Sequence, residues 1–116
     1  MGVGATGLVA ILFTDLVGST EAAARLGEER AEQLRQTHFA LLREGIRHHA
    51  GTEVKNLGDG LMVAFGAASD AVACAVAMQQ AVGRHNRHQA GEPLAMRVGV
   101  AVGEATHEES DYFGTR

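Results

Sequence analysis

Asp15 and Asp59 are the residues best placed to do chemistry. Each borders an apolar run, Leu8–Phe13 before the first and Leu61–Phe65 after the second. Asp15 is followed by Leu16-Val17-Gly18-Ser19-Thr20, a short loop that opens an Ala-rich segment. A strand, a tight loop and a helix start in that order gather backbone N–H groups at one point, which suits an anion. A carboxylate beside that point suits a cation. The chemistry this stretch allows is a site that takes phosphate and a divalent metal together. Taken singly, each aspartate has a plainer reading. An Asp at a strand end is most often a turn or capping residue, and Asp59-Gly60 between two strand-like runs signals a hairpin.

The elements that must position these residues can be read from periodicity. Leu8–Phe13 lacks polar alternation and reads as a central strand covered on both faces. Thr20–Leu26 is a short helix ended by Gly27, and Glu28–Ala50 a longer one closed by Gly51. Ala31, Leu34, His38, Leu41, Leu42 and Ile46 form its apolar stripe, where His38 is expected to be packed and hydrogen-bonded. Thr52–Leu57 and Leu61–Phe65 are strands. Ser69 is expected to N-cap a helix over 70–88, with Val72, Ala75, Val76, Gln79 and Val82 on one face and Cys74 a small, buried or half-buried residue. His85 and His88 read as a solvated helix end rather than a metal pair. Glu92-Pro93 breaks the chain, Leu94–Val102 is a fourth strand, and Gly103–Ser110 is polar.

Composition excludes several classes. With 116 residues, the chain is long enough for one domain. Hydrophobic residues make up 46% and charged residues 21%, which describes a soluble globular domain. The net charge of -4 and an aromatic content of 4% without Trp argue against a nucleic-acid surface. The single cysteine, Cys74, permits no internal disulfide and fits a cytoplasmic setting. No apolar run is long enough to span a membrane, and no basic segment precedes the first apolar run as in a signal peptide.

The order strand, helices, strand, strand, helix, strand is the split βαβ, ferredoxin-like arrangement. It is an α+β fold, an antiparallel sheet with its helices on one face. A right-handed crossover makes the first two strands parallel and leaves room for the third between them. The end of the first strand then lies beside the start of the third, so Asp15 and Asp59 converge at one sheet edge. Two adjacent carboxylates repel each other unless a cation or a proton intervenes. Hard oxygen donors favour Mg²⁺ or Mn²⁺, and two such ions about 4 Å apart can serve an in-line phosphoryl displacement. The N–H groups of Leu16, Val17, Gly18, Ser19 and Thr20 would hold the remaining phosphates.

Phe13-Thr14-Asp15-Leu16-Val17-Gly18-Ser19-Thr20 and Glu53-Val54-Lys55-Asn56-Leu57-Gly58-Asp59-Gly60 together resemble the catalytic domain of class III adenylate/guanylate cyclases, in its bacterial form. The resemblance runs from Leu8 to the end of the chain. It implies one cyclase domain over residues 1–116 that lacks the family's C-terminal helix, with its transition-state Asn and Arg, and its last strands. It also implies that Asp15 and Asp59 bind two Mg²⁺ or Mn²⁺ ions, joined by the carbonyl of Leu16. Lys55 matches the purine-reading residue, and Asp111 in Asp111-Tyr112-Phe113-Gly114 matches its partner, which implies ATP over GTP. The implied assembly is a head-to-tail homodimer with sites at its interface, often fused to regulatory domains. The implied reaction is a lyase reaction, ATP to 3′,5′-cyclic AMP and pyrophosphate. The alternative is a weakly active or inactive module of the same fold that binds nucleotide or dimerises to regulate a larger protein.

Overall fold

The computed structural model describes residues 6–88 and 92–106. The elements in chain order are β1 (Thr6–Leu16), α1 (Ser19–Leu26), α2 (Glu28–His48), β2 (Thr52–Asn56), β3 (Leu61–Phe65), α3 (Ala68–His88) and β4 (Met96–Thr106). The sheet order is β2-β3-β1-β4, and every neighbouring pair is antiparallel. β1 and β2 therefore point the same way with β3 between them, as the element order predicts.

Alternation along β1 sets the layers. Ala10, Leu12 and Leu16 are buried with Leu61, Val63 and Phe65 of β3, Met96 of β4, Phe39, Leu42 and Ile46 of α2, and Cys74, Met78 and Val82 of α3. The intervening residues Ile11, Phe13 and Asp15 stand on the opposite face. There Ile11 is half-buried and Phe13 exposed. The expectation that both faces of β1 are covered is thus corrected: among the described residues, helices cover one face only. The unbroken apolar run arises because the second face is apolar as well.

Several boundaries differ from the sequence reading for identifiable reasons. β1 continues through Asp15 and Leu16, because β4 pairs with it along its whole length, from Thr6↔Thr106 to Leu16↔Met96. β4 correspondingly starts at Met96 and runs through the polar residues Gly103 and Glu104. α2 ends at His48, since Ala50 adopts the left-handed conformation at φ 60°. Gly51 then serves packing: a Cβ there would lie 2.8 Å from the Phe65 ring. α3 begins at Ala68, so Ser69 sits inside the first turn and is not its cap. The buried stripe of α3 is Ala71, Cys74, Met78 and Val82. Val72 and Val76 instead flank a groove against Val98 and Val100, and the Gln79 amide donates to the Met96 carbonyl at 3.1 Å. Burial pushes the Cys74 thiol up to about 11, so it is a packed, unreactive group.

His38 is buried as expected, but among the described residues neither ring nitrogen has a hydrogen-bond partner. Desolvation holds its pKa below the ordinary value, so the imidazole is neutral in the folded chain. Below pH ~6.5 the unfolded chain takes up a proton that the folded one resists, so this group's contribution to stability falls as pH drops. We expect His38→Leu to stabilise the domain by about 1 kcal/mol at pH 7, by a margin that widens toward pH 5. Urea unfolding at the two pH values measures this, and an equal margin at both would count against it.

Candidate active site

The site begins where β1 and the β2–β3 connection touch. The Leu61 amide donates to Thr14 Oγ1 at 2.9 Å, and the Leu16 amide donates to the Asp59 carbonyl at 2.8 Å. Thr14 is almost fully buried. At Gly60 the backbones approach so closely that a Cβ would lie 1.8 Å from the Thr14 carbonyl oxygen. Only glycine fits there.

The hairpin is built differently from the Asp-Gly signal. The connection spans Leu57–Gly60, and the positive φ of 97° falls on Gly58, not on Asp59. Asn56 Oδ1 accepts from the Gly58 amide at 2.8 Å, which fixes the turn from its N-terminal side. Asp59 is therefore not the residue that makes the turn. Its carbonyl is tied to β1, and its carboxylate points away from the turn to partners on the helices.

The two aspartates are brought near each other through the backbone, and their carboxylates take different partners. Asp59 Oδ2 accepts from Ser19 Oγ at 2.8 Å, and Asp59 Oδ1 lies 3.8 Å from Arg35 Nη1 of α2. Asp15 Oδ2 accepts from Arg97 Nη2 at 2.7 Å, its cross-strand partner on β4. The Asp15 and Asp59 side chains are 50% and 46% exposed, open enough for a ligand to reach. Among the described residues no cluster of three or more His, Cys, Asp or Glu side chains could hold a metal. A cation here would have two carboxylates as its side-chain ligands and would draw its other donors from backbone oxygen, water or substrate phosphate. That all-oxygen set fits Mg²⁺ or Mn²⁺, and in the metal-free chain Arg97 and Arg35 offset the carboxylate charge.

The loop after Asp15 supports only part of its expected role. The Leu16 and Val17 amides are spent on the Asp59 and Ala95 carbonyls, both at 2.8 Å, so these two cannot hold phosphate. Gly18, at φ 76°, is the N-cap residue of α1, with no side-chain cap. The Ser19 and Thr20 amides head that helix, where no intrahelical acceptor exists. The Ser19 hydroxyl turns to Asp59, a contact that sequence reasoning does not find, and the same holds for Arg35 and Arg97. Arg97 could be found by extending β4 opposite Asp15. Nothing in the local pattern singles out Arg35.

Lys55 is not gathered with the aspartates. It is exposed and pairs with Met62 of β3, which pairs in turn with Phe13 of β1. That row places it on the uncovered sheet face, two strand spacings or about 10 Å from β1. Asp111 lies outside the described residues.

A four-stranded antiparallel sheet with helices on one face, carrying two aspartates at one edge, is the architecture of a nucleotidyl cyclase domain. A family model described as "Adenylate and Guanylate cyclase catalytic domain" matches residues 2–110, and the chain belongs to this family. It is 37% identical over 108 residues to "Putative adenylate cyclase 3" of Rhizobium meliloti, covering 92% of this chain and 18% of that protein. It is 34% identical to "Serine/threonine-protein kinase pkn2" of Myxococcus xanthus, covering 90% of this chain and 13% of the kinase. The chain thus spans less than a fifth of either relative. Among solved structures, the guanylyl cyclase Cya2 superposes with a TM-score of 0.77 at 35% identity, over 90% of this chain and 57% of that one. A bacterial light-regulated adenylyl cyclase superposes at 0.79 with 17% identity, over 86% and 55%, and shows the shared fold. No helix among the described residues is long and apolar enough to cross a membrane.

Proposed function

We propose that this chain is the catalytic domain of an adenylate cyclase that converts ATP to 3′,5′-cyclic AMP and pyrophosphate. The observation that supports this reading is the hydrogen bond from the Leu16 amide to the Asp59 carbonyl, which joins the backbone segments that carry the two aspartates. Asp15 and Asp59, with the Leu16 carbonyl, would hold two Mg²⁺ or Mn²⁺ ions. When bound, these ions neutralise phosphate charge and favour ionisation of the ribose hydroxyl. The ribose 3′-oxygen forms a bond to the α-phosphorus, the bond to pyrophosphate breaks, and the hydroxyl proton passes to solvent. Ser19, Gly18 and Thr20 stand at the head of α1 for the distal phosphates. Lys55, with Asp111, reads adenine. Lys55 stands apart from both aspartates, on the uncovered face that also carries Asp15, which supports a head-to-tail homodimer where one protomer supplies the metal residues and its partner the base reader.

A second reading has one observation in its favour. Arg97, Arg35 and Ser19 already engage both carboxylates within the chain, which stabilises the metal-free state. A nucleotide-binding regulatory module with little turnover, serving a longer protein with other domains, would have that property.

The test is formation of cyclic AMP from ATP with Mn²⁺ across a range of protein concentrations, with GTP in parallel. Product that rises faster than linearly with protein, and exceeds cyclic GMP, is the expected result. A linear rise would overturn the dimeric site, and equal use of GTP the base assignment. Metal-dependent ATP binding without product would select the second reading.

A further inference from the structure

The strand that carries Lys55 contains an irregularity whose position decides which face the lysine occupies. Thr52 pairs with Ala64 and Glu53 with Val63, then the register shifts, so that Lys55 pairs with Met62 and Asn56 with Leu61. Val54 is the extra residue. In uninterrupted pairing Val54 would oppose Met62, and Lys55 would oppose Leu61, which is fully buried under the helices. Side chains alternate along a strand, so one inserted residue moves every later side chain to the other face. The bulge is what sets Lys55 on the uncovered face with Met62 and Phe13.

A short edge strand does not hold such a register by itself. β2 has five residues and, among the described residues, a ladder on one side only, and registers slip most easily in strands of this kind. Here the residue just before the bulge is anchored. Arg43 of α2 donates to Glu53 through Nε at 2.8 Å and Nη2 at 3.0 Å, a two-point fork that fixes direction as well as distance. The same guanidinium lies 5.4 Å above the ring of Phe39, a buried core residue. These hydrogen bonds hold the Glu53 carboxyl below the usual carboxylate range. The anchor thus runs from the core through Arg43 to the residue before the slip.

We propose that the Arg43–Glu53 pair is a specificity-positioning device. It pins the bulge at Val54 and thereby aims Lys55 at the purine. The inference rests on the reading of Lys55 as the base reader. Neither Arg43 nor Glu53 touches substrate; both act through Lys55.

The experiment uses a fluorescent N-methylanthraniloyl nucleotide with Mn²⁺, displaced by ATP or by GTP, and reads the ratio of the two affinities. The variants are Glu53→Gln, Arg43→Met, the exchanged pair Arg43→Glu with Glu53→Arg, and Lys55→Ala as reference. Each single variant is expected to lower the preference for adenine about tenfold, with the far-ultraviolet dichroism unchanged and the exchanged pair recovering the preference. Cross-strand nuclear Overhauser contacts from Lys55 to Met62 should weaken in Glu53→Gln, while contacts from Val54 to Met62 strengthen. If Lys55→Ala loses the preference but Glu53→Gln keeps both it and the Lys55–Met62 contact, the device is overturned and the base reader stands. If Lys55→Ala leaves the ratio unmoved, or the unaltered chain shows no preference, the base-reading assignment fails and the device falls with it.

Discussion

Replacing Asp15 or Asp59 by Ala is expected to remove cyclase activity by at least a hundred- to a thousandfold while leaving the fold intact. The first half follows from charge. Each carboxylate is half exposed, and in the proposed site the two together hold the cations that meet the phosphates. Loss of one fixed charge that stabilises a transition state costs roughly that much in rate. The second half follows from what holds the edge together. The bond between the β2–β3 connection and β1 uses the Asp59 carbonyl and the Leu16 amide, both backbone groups that survive truncation of either side chain. Truncation deprives Asp15 of Arg97, or Asp59 of Ser19 and Arg35, all at partly exposed positions. Such pairs contribute about 1 kcal/mol or less. Mn²⁺ binding, product formation and the urea midpoint should be measured on the same preparations. Full activity in either variant would remove the two-metal assignment, and a chain that no longer folds would show that the carboxylates serve structure first.

Gly60→Ala is expected to fail for the opposite reason, with the fold lost before the chemistry. Its Cβ would lie 1.8 Å from the Thr14 carbonyl oxygen, 2.7 Å from the Thr14 carbonyl carbon and 3.3 Å from the Asp15 Cα. All three are backbone atoms of the central strand, so no side chain can swing aside. β3 must retreat from β1 at its first residue, which pulls apart the Leu61 amide and Thr14 Oγ1, and the Leu16 amide and the Asp59 carbonyl. A steric term and two strained, partly buried hydrogen bonds together amount to about 3–5 kcal/mol. Gly66→Ala is the control, since a Cβ there meets nothing within 4 Å among the described residues. Denaturant midpoints of the two variants should differ by most of that amount. Similar midpoints would mean that the close approach at Gly60 yields cheaply.

That the end of β1 lies beside the start of β3, with Asp15 on one and Asp59 next to the other, is legible in the sequence because it needs only element order and handedness. Apolar runs mark β1 and β3, and helical spacing marks α2. What stays hidden depends on pairing across the sheet. β4 reaches Thr106 because β1 offers it a partner, although Gly103 and Glu104 look like loop. The bulge at Val54 leaves no trace in composition, since Val is at home in any strand. The stripe of α3 reads one residue off because Val72 and Val76 are larger than Ala71 and Cys74. Burial there is decided by the sheet below, not by side-chain size. His38 is correctly placed in the interior and wrongly given a partner, because whether a polar atom finds one depends on elements far away in sequence. The arginines beside the aspartates come from β4 and α2, and no local pattern marks either.

The two halves of the proposed site are mounted on supports of unequal stiffness. Asp15 sits in a ladder of eleven paired residues at the centre of the sheet, whereas Lys55 sits on a bulged five-residue strand at its rim. Rim strands open locally at lower cost than central ones, and substitutions there disturb stability least. Within a lineage, the base accepted by the proposed site can therefore drift through changes in β2 that leave the protein folded, while changes to the backbone packing beside Asp15, as at Gly60, endanger the whole sheet. If the proposed site is right, its metal-holding half is the part of this architecture that inheritance must keep, and the choice of purine is the part it can revise.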